Sequence, residues 1–207
     1  MAITTGGELL TALSNWTGRA DLTSSGVNYG RVSEAISMAE AKFNRNLRTP
    51  DMETKDAAYS ITGEYVAVPT GFLEARSFML NASPRRAITF MPDDEQAFAY
   101  STGTGDPIFF NVVGGNFRFA PVPSSTQLAT LTYYKAPATN STGGSEHNWI
   151  LDSHPDLCLY GALLEAAGYI QDESRVMLWA QAYAAALDQL KKQGARMQWG
   201  GNGMTVR

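Results

Sequence analysis

The stretch that decides the fold is Trp149-Ile-Leu-Asp-Ser-His-Pro-Asp-Leu-Cys-Leu-Tyr-Gly-Ala-Leu-Leu-Glu-Ala-Ala-Gly-Tyr-Ile170. Over residues 157–170 its only charged side chain is Glu165, so the predicted helix is apolar on every face. Helices of this kind are normally buried, either in a core or against other subunits. This one is too short to span a bilayer, which takes roughly 20 residues. In a chain of 207 residues, a helix that needs cover on all sides predicts assembly with other copies.

Two helical patterns open the chain. Thr5 and Glu8 have the spacing of a capping box, and Gly18 is placed to end the first helix. The second helix follows a loop at residues 21–30 and stops at Pro50. Their apolar stripes are Leu9, Leu10, Leu13 and Trp16 in the first helix and Val32, Ile36, Ala39, Phe43 and Leu47 in the second.

Two more helices close the chain. Ser153, Pro155 and Asp156 supply an N-cap, an early proline and an acid for the start of the apolar helix. A last pattern runs over residues 172–193, with Gly194 as its predicted C-cap. Its stripe is Val176, Trp179, Tyr183, Leu187 and Leu190.

The middle of the chain changes from helical to strand periodicity at residue 51. Short runs of β-branched and aromatic residues alternate with turn residues, and Gly114-Gly115 between two such runs is typical of a β-hairpin. A helical turn is predicted at 92–100, and a polar connector rich in glycine and serine covers 138–148. The predicted strands cover residues 58–62, 64–68, 72–80, 87–91, 107–113, 116–120 and 127–134.

These patterns predict an α+β fold, with an antiparallel helical bundle built from both chain ends and an inserted, mostly antiparallel β module. The predicted bundle comprises residues 1–50 and 148–194. Residues 51–147 form the module and connector, and residues 195–207 form a flexible C-terminal tail. The side chains predicted to pack the bundle or a ring are Leu157, Tyr160, Leu164, Trp179, Tyr183 and Leu187.

The amino-acid composition argues against a protein that binds nucleic acid through its backbone. The formal net charge is −4, from 16 basic and 20 acidic residues, without a run of like charges. Sequence-independent affinity for DNA requires clustered lysine and arginine. The single cysteine, Cys158, is expected to be a small buried hydrophobe. The first residues lack the features of a signal peptide, so we expect synthesis in the cytoplasm.

Motifs of common enzymes are missing from the sequence, which has neither a P-loop nor a Gly-x-Ser-x-Gly elbow. Cys158 follows His154 by four residues, but a thiol in so apolar a helix should have a raised pKa and be inert. His147 and His154 lie among carboxylates that could ligate a divalent ion, yet starting a helix explains this cluster better. The acids of residues 93–95 are more typical of a helix start than of a glycosidase pair. We therefore expect no enzyme, no metal and no cofactor.

Five segments taken together resemble the head-to-tail adaptor (connector) proteins of tailed phages, particularly those of short-tailed phages. The resemblance covers almost the whole chain in order, and its motifs are structural rather than chemical. The segments are Pro69-Thr-Gly-Phe-Leu-Glu-Ala-Arg-Ser77, Pro84-Arg-Arg-Ala-Ile-Thr-Phe-Met-Pro92, Phe117-Arg-Phe-Ala-Pro-Val-Pro123, Leu131-Thr-Tyr-Tyr-Lys135 and Leu151-Asp-Ser-His-Pro-Asp-Leu-Cys-Leu-Tyr-Gly-Ala-Leu-Leu-Glu-Ala-Ala167.

The resemblance implies a structural virion protein at the head-to-tail junction. Such a protein forms a dodecameric ring below the portal, extends the DNA channel and offers the tail (nozzle) a platform during assembly. DNA would pass through during ejection without specific binding, and no membrane is involved. The C-terminal tail would reach onto the portal through Arg196, Met197, Trp199, Met204, Val206 and Arg207.

Two alternatives from other classes stay open. A tail-associated hydrolase would need a carboxylate pair in a cleft. A carbohydrate- or ligand-binding β module would use aromatic side chains as a stacking surface. Because adjacent residues of a strand point to opposite faces, only half of each aromatic pair could serve. The candidate pairs are Phe109 with Phe110 and Tyr133 with Tyr134.

Overall fold

The computed structural model describes residues 3–22, 29–92, 103–140, 145, 147–170 and 173–199. The chain divides into two compact units, which we call the helical unit and the strand unit. The helical unit is Met1–Asp51 together with Pro137–Arg207, and the strand unit is Met52–Ala136. The described part of the chain has five α-helices and one seven-stranded sheet, so the predicted α+β class is confirmed.

Helices in the helical unit begin and end at recognisable residues. The predicted capping box is confirmed, because the Thr5 hydroxyl accepts a hydrogen bond from Glu8 N and the Glu8 carboxylate accepts one from Thr5 N. Gly18 ends the first helix with a left-handed φ of 69°. The helices are α1 (Gly6–Thr17), α2 (Tyr29–Asn46), α3 (Trp149–Ser153), α4 (Pro155–Ile170) and α5 (Glu173–Trp199).

The apolar helix α4 is covered by its own chain. It contacts α1, α2 and α5. Because Gly161 has no side chain, the rings of Phe43 and Tyr183 pack close to the helix backbone there. A Cβ at Gly161 would lie 3.2 Å from Phe43 Cζ and 3.3 Å from Tyr183 Cε2. The expectation that this helix needs other copies for its cover is therefore wrong. Its buried apolar side chains are Leu157, Cys158, Leu159, Ala162, Leu163, Ala166 and Ala167.

The start of α4 differs from the prediction. Ser153 is not its N-cap, because it is the last residue of the short helix α3. Asn148 caps α3 by accepting a hydrogen bond from Leu151 N at 3.0 Å. His154 then leaves the helical region, with φ −138° and ψ 57°. Proline disfavours helical backbone in the residue before it, so Pro155 opens a new helix as its first residue.

The last helix continues beyond its predicted end. Gly194 is not a C-cap, because α5 runs through it to Trp199. This glycine is buried, and a Cβ there would lie 3.2 Å from Thr49 Cγ2 and 3.4 Å from Pro50 Cδ. Gly194 therefore serves close packing rather than helix termination. The first five residues of the predicted tail accordingly belong to α5.

Strands in the strand unit form one sheet in the order β1-β7-β3-β4-β5-β6-β2. Neighbours are antiparallel except for β4 and β5, which are parallel, so the mostly antiparallel prediction is confirmed. Gly114 and Gly115 form the predicted hairpin turn with φ of 56° and 79°. The helical turn predicted at 92–100 lies almost wholly outside the described residues. The strands are β1 (Glu53–Ile61), β2 (Tyr65–Ala67), β3 (Phe72–Leu80), β4 (Arg86–Phe90), β5 (Phe109–Val113), β6 (Asn116–Ala120) and β7 (Gln127–Lys135).

The sheet curls around an aromatic core. β1 and β6 are five positions apart in the strand order, which would separate them by about 24 Å in a flat sheet. The rings of Tyr59 on β1 and Phe117 on β6 are nevertheless 5.8 Å apart. The Tyr59 hydroxyl also donates a hydrogen bond to Ala67 O on β2 at 2.8 Å, which joins the two edge strands. The core contains Tyr59, Ile61, Phe78, Leu80, Ile88, Phe110, Phe117, Phe119, Ala129, Leu131 and Tyr133.

Candidate interaction surfaces

The cysteine has the environment of a packing residue. Cys158 is buried on α4. Burial raises the pKa of its thiol, and the carboxylates of Glu40 and Asp156 raise that pKa further. His154 accepts a backbone hydrogen bond from Cys158 N, while its ring lies edge-on to Trp149 at 6.5 Å. A thiol kept protonated in this way is a poor nucleophile.

In the polar cluster at the start of α3, one histidine pairs with one carboxylate. His147 Nδ1 lies 3.2 Å from Asp152 Oδ2 at the exposed surface. Within the described residues, no group of three or more histidine, cysteine, aspartate or glutamate side chains could hold a metal ion. Glu146 and the acids of residues 93–95 lie outside the described part of the chain. In that part, none of the helices has the length and apolarity to cross a membrane.

The proposed stacking surface is largely inside the strand unit. Phe110, Tyr133 and Tyr134 are buried. Tyr133 packs against Phe72 at a centroid distance of 5.7 Å, and burial raises the pKa of its hydroxyl. Phe109 is half-buried. A planar ligand would not reach the buried rings of Tyr133 and Tyr134, so the stacking interpretation of that pair is wrong.

Side chains predicted to pack a bundle or ring lie in the helical unit. Tyr160 meets Trp16 edge-to-face at 5.9 Å, and Tyr183 stacks on Phe43 at 6.3 Å. The Tyr183 hydroxyl is buried without a hydrogen-bond partner among the described residues, and burial raises its pKa. Among the six, Leu157 and Trp179 are fully buried, whereas Tyr160, Leu164, Tyr183 and Leu187 are half-buried.

A carboxylate on α2 fixes the connector. Glu40 Oε1 accepts a hydrogen bond from Asn140 N at 2.6 Å, and Oε2 accepts one from the Thr139 hydroxyl at 2.7 Å. Close to this contact, a Cβ at Gly6 would overlap the carbonyl oxygen of Asn140, so only glycine fits there. Local sequence patterns do not reveal this contact, because its partners are about a hundred residues apart in the chain.

The outer face of α5 is exposed and partly apolar. Met177 and Leu178 are 71% and 63% exposed, and Ala184 and Ala185 lie exposed further along the helix. Beyond them, Lys192 pairs with Asp188 at 2.6 Å. These apolar residues lie outside the predicted buried stripe of the helix. Apolar residues in such positions are the sequence signal that could have predicted an exposed apolar face.

Residues predicted to dock on a portal are divided by the end of α5. Arg196 and Met197 lie in its last turns, and Met197 is 51% exposed. Trp199 is the final helical residue. The other three predicted contacts, Met204, Val206 and Arg207, lie outside the described residues.

An apolar groove opens in the strand unit between β3 and β5. Its volume is about 460 Å³. Phe90 and Val112 on its wall are 58% and 44% exposed, which is high for side chains facing a sheet interior. Its lining residues are Phe72, Leu73, Glu74, Ala75, Phe90, Phe110 and Val112.

Comparison with known proteins gives one decisive finding. The family model described as SU10 adaptor protein matches residues 4–207, which is nearly the whole chain. The chain belongs to the SU10 adaptor protein family. No curated protein matches it. Membership in an adaptor family supports the resemblance to phage adaptors and a structural role, in keeping with the buried thiol and the simple His147–Asp152 pair.

Proposed function

We propose that this SU10 adaptor family protein is a structural component of the head-to-tail junction of a phage, of the short-tailed type. It forms a dodecameric ring below the portal, extends the DNA channel and gives the tail its attachment platform. The observation that carries the proposal is the family match over residues 4–207. The protein is made in the host cytoplasm and functions in the virion.

The helical unit would form the wall of the ring as an antiparallel bundle. The contacts of α4 with α1, α2 and α5 support this part of the proposal. Because most of α4 is buried within one chain, the contact between copies would use another surface. The exposed side of α5, with Met177 and Leu178, is the strongest candidate in the helical unit.

The charge of the chain suits a channel that DNA crosses without sticking. With a formal net charge of −4 and no cluster of basic residues in the sequence, the ring would not hold phosphates. The C-terminal residues would contact the portal protein. Arg196, Met197 and Trp199 would do so from the end of α5, together with Met204, Val206 and Arg207.

Light scattering of the full chain, alone and with the cognate portal, tests the assembly. We expect either a ring of the protein alone or a complex in which twelve copies join one portal. A monomer under both conditions would contradict the proposal. A hydrolase would instead show turnover that is lost on replacement of His154, and we expect no such turnover.

A further inference from the structure

A buried glycine of α5 packs on the chain near the point where it leaves the helical unit. The chain passes from the helical unit to the strand unit after Asp51, and we call residues 47–51 the exit segment. Thr49 in this segment is 2% exposed. A Cβ at Gly194 would lie 3.2 Å from Thr49 Cγ2 and 3.4 Å from Pro50 Cδ, so the absence of a side chain lets α5 pack this closely. α5 therefore covers the exit segment through Gly194.

The turn of α5 that follows Gly194 is exposed to solvent. The side chains at positions 195–197 are exposed. The helix ends at Trp199, five residues after Gly194. The last four carbonyl groups of a helix have no partner within the helix, and helix ends open at a low cost in free energy. The contact of Gly194 therefore depends on a turn that unwinds more readily than the rest of α5.

The Thr49 hydroxyl opposes the same contact. Its oxygen is buried with no hydrogen-bond partner among the described residues. A hydroxyl buried in this way loses its hydrogen bonds to water without compensation, and it regains them when the contact opens. The Arg48 guanidinium donates hydrogen bonds to Asn44 O at 2.7 Å and Leu47 O at 2.6 Å, which satisfy carbonyl groups at the end of α2. Opening would therefore be confined to the exit segment after Arg48 and would leave α2 intact.

We propose that the end of α5 controls the order of the exit segment. While the last turn of α5 is helical, Gly194 packs on Thr49 and Pro50 and fixes the chain that leads into the strand unit. When that turn unwinds, the exit segment is released and the Thr49 hydroxyl returns to water. A partner that binds the helical form through Arg196 and Met197 shifts this equilibrium towards the packed state. Naming the portal as that partner rests on the proposed function, whereas the contact itself does not.

Hydrogen exchange of the full chain, measured by mass spectrometry at the backbone amides of residues 47–53, tests this inference. Gly194→Val places a side chain against Thr49, and Met197→Pro unwinds the last turn without changing the residues in contact. Each change should speed exchange at residues 47–53 by about tenfold or more, because local opening then costs less free energy. Thr49→Val replaces the unpaired hydroxyl with a methyl group of the same shape and should slow this exchange.

Two matched variants control for the substitutions themselves. Gly168→Val puts valine at an exposed position of α4, where a Cβ meets no atom within 4 Å. Met197→Ala removes the same side chain as Met197→Pro but keeps the helix. Both should exchange at residues 47–53 as the parent does. The inference is overturned if Gly194→Val and Met197→Pro leave exchange there at the parental rate, or if they speed exchange in α4 equally. No arm uses the portal, so the outcome does not depend on the proposed assembly.

Discussion

Gly161 of α4 faces Phe43 of α2 so closely that a Cβ at Gly161 would lie 3.2 Å from Phe43 Cζ. The side chain that is missing there lets the stacked rings of Phe43 and Tyr183 reach the α4 backbone. We expect Gly161→Val to lower the free energy of unfolding by about 1–3 kcal/mol through overpacking. Urea unfolding followed by circular dichroism measures this change.

Gly168→Val is the matched control on the same helix. A Cβ at Gly168 meets no atom within 4 Å, and the residue is exposed. Its free energy of unfolding should stay within about 0.5 kcal/mol of the parent. Equal losses at the two positions would show that the loss at Gly161 does not come from the contact with Phe43.

The second prediction concerns the hydrogen bonds between Glu40 of α2 and the connector. Glu40→Ala removes the acceptor for Asn140 N and for the Thr139 hydroxyl. Loss of a partner for a part-buried donor should lower the free energy of unfolding by about 1–3 kcal/mol. Glu34→Ala is the control, because Glu34 is an exposed α2 carboxylate paired i,i+3 with Arg31. Its effect should be at most about 1 kcal/mol, and an equal loss at Glu40 and Glu34 would contradict the prediction.

The third prediction is a dependence of α1 on pH. Hydrogen bonds from the backbone and hydroxyl of Thr4 lower the pKa of Glu8 below its ordinary value of 4.5, with a further contribution from Thr5. A depressed folded-state pKa stabilises the fold above the unfolded-state pKa, and this stabilisation is lost as pH falls through the folded-state value. The thermal midpoint of the parent should therefore fall more steeply on acidification than that of Glu8→Gln. Parallel acid profiles for the two proteins would show that the capping box is not coupled to pH.

The fourth prediction is that the thiol of Cys158 is unreactive in the folded protein. Burial raises its pKa, so little thiolate is present at neutral pH. Labelling by a chromogenic disulfide reagent should be slow in buffer and fast in denaturant. Cys158→Ala should retain the assembly behaviour of the parent. Fast labelling of the native chain would mean that α4 opens readily or that the thiol is accessible.

Local signals in the sequence predicted most of the secondary structure. The capping box of Thr5 and Glu8 and the Gly114-Gly115 turn each depend on neighbours in the chain, and both are confirmed. The C-cap predicted at Gly194 is wrong, because a glycine after a helical stripe can serve either helix termination or close packing. A helix end can be predicted from local sequence, but the contact of Gly194 with Thr49 cannot.

The residues that cover α4 are likewise not visible in local sequence. Hydrophobicity on all faces shows that a helix must be buried, but it does not show what buries it. The cover depends on Gly161 admitting Phe43 and Tyr183, whose positions are set by tertiary packing. The groove between β3 and β5 was not predicted either, because its lining residues come from three strands that only the fold brings together.

The last prediction tests the proposed contact with the portal. Because α5 ends at Trp199, deletion of residues 200–207 removes no residue of a described helix or strand. The thermal midpoint of the truncated chain should therefore equal that of the parent. We expect attachment to portal-bearing heads to be lost, since Met204, Val206 and Arg207 are then missing and apolar anchors contribute most of the affinity of such contacts. Met197→Ala within α5 should weaken attachment by a smaller factor. A truncated chain that docks as tightly as the parent would place the portal contact elsewhere on the protein.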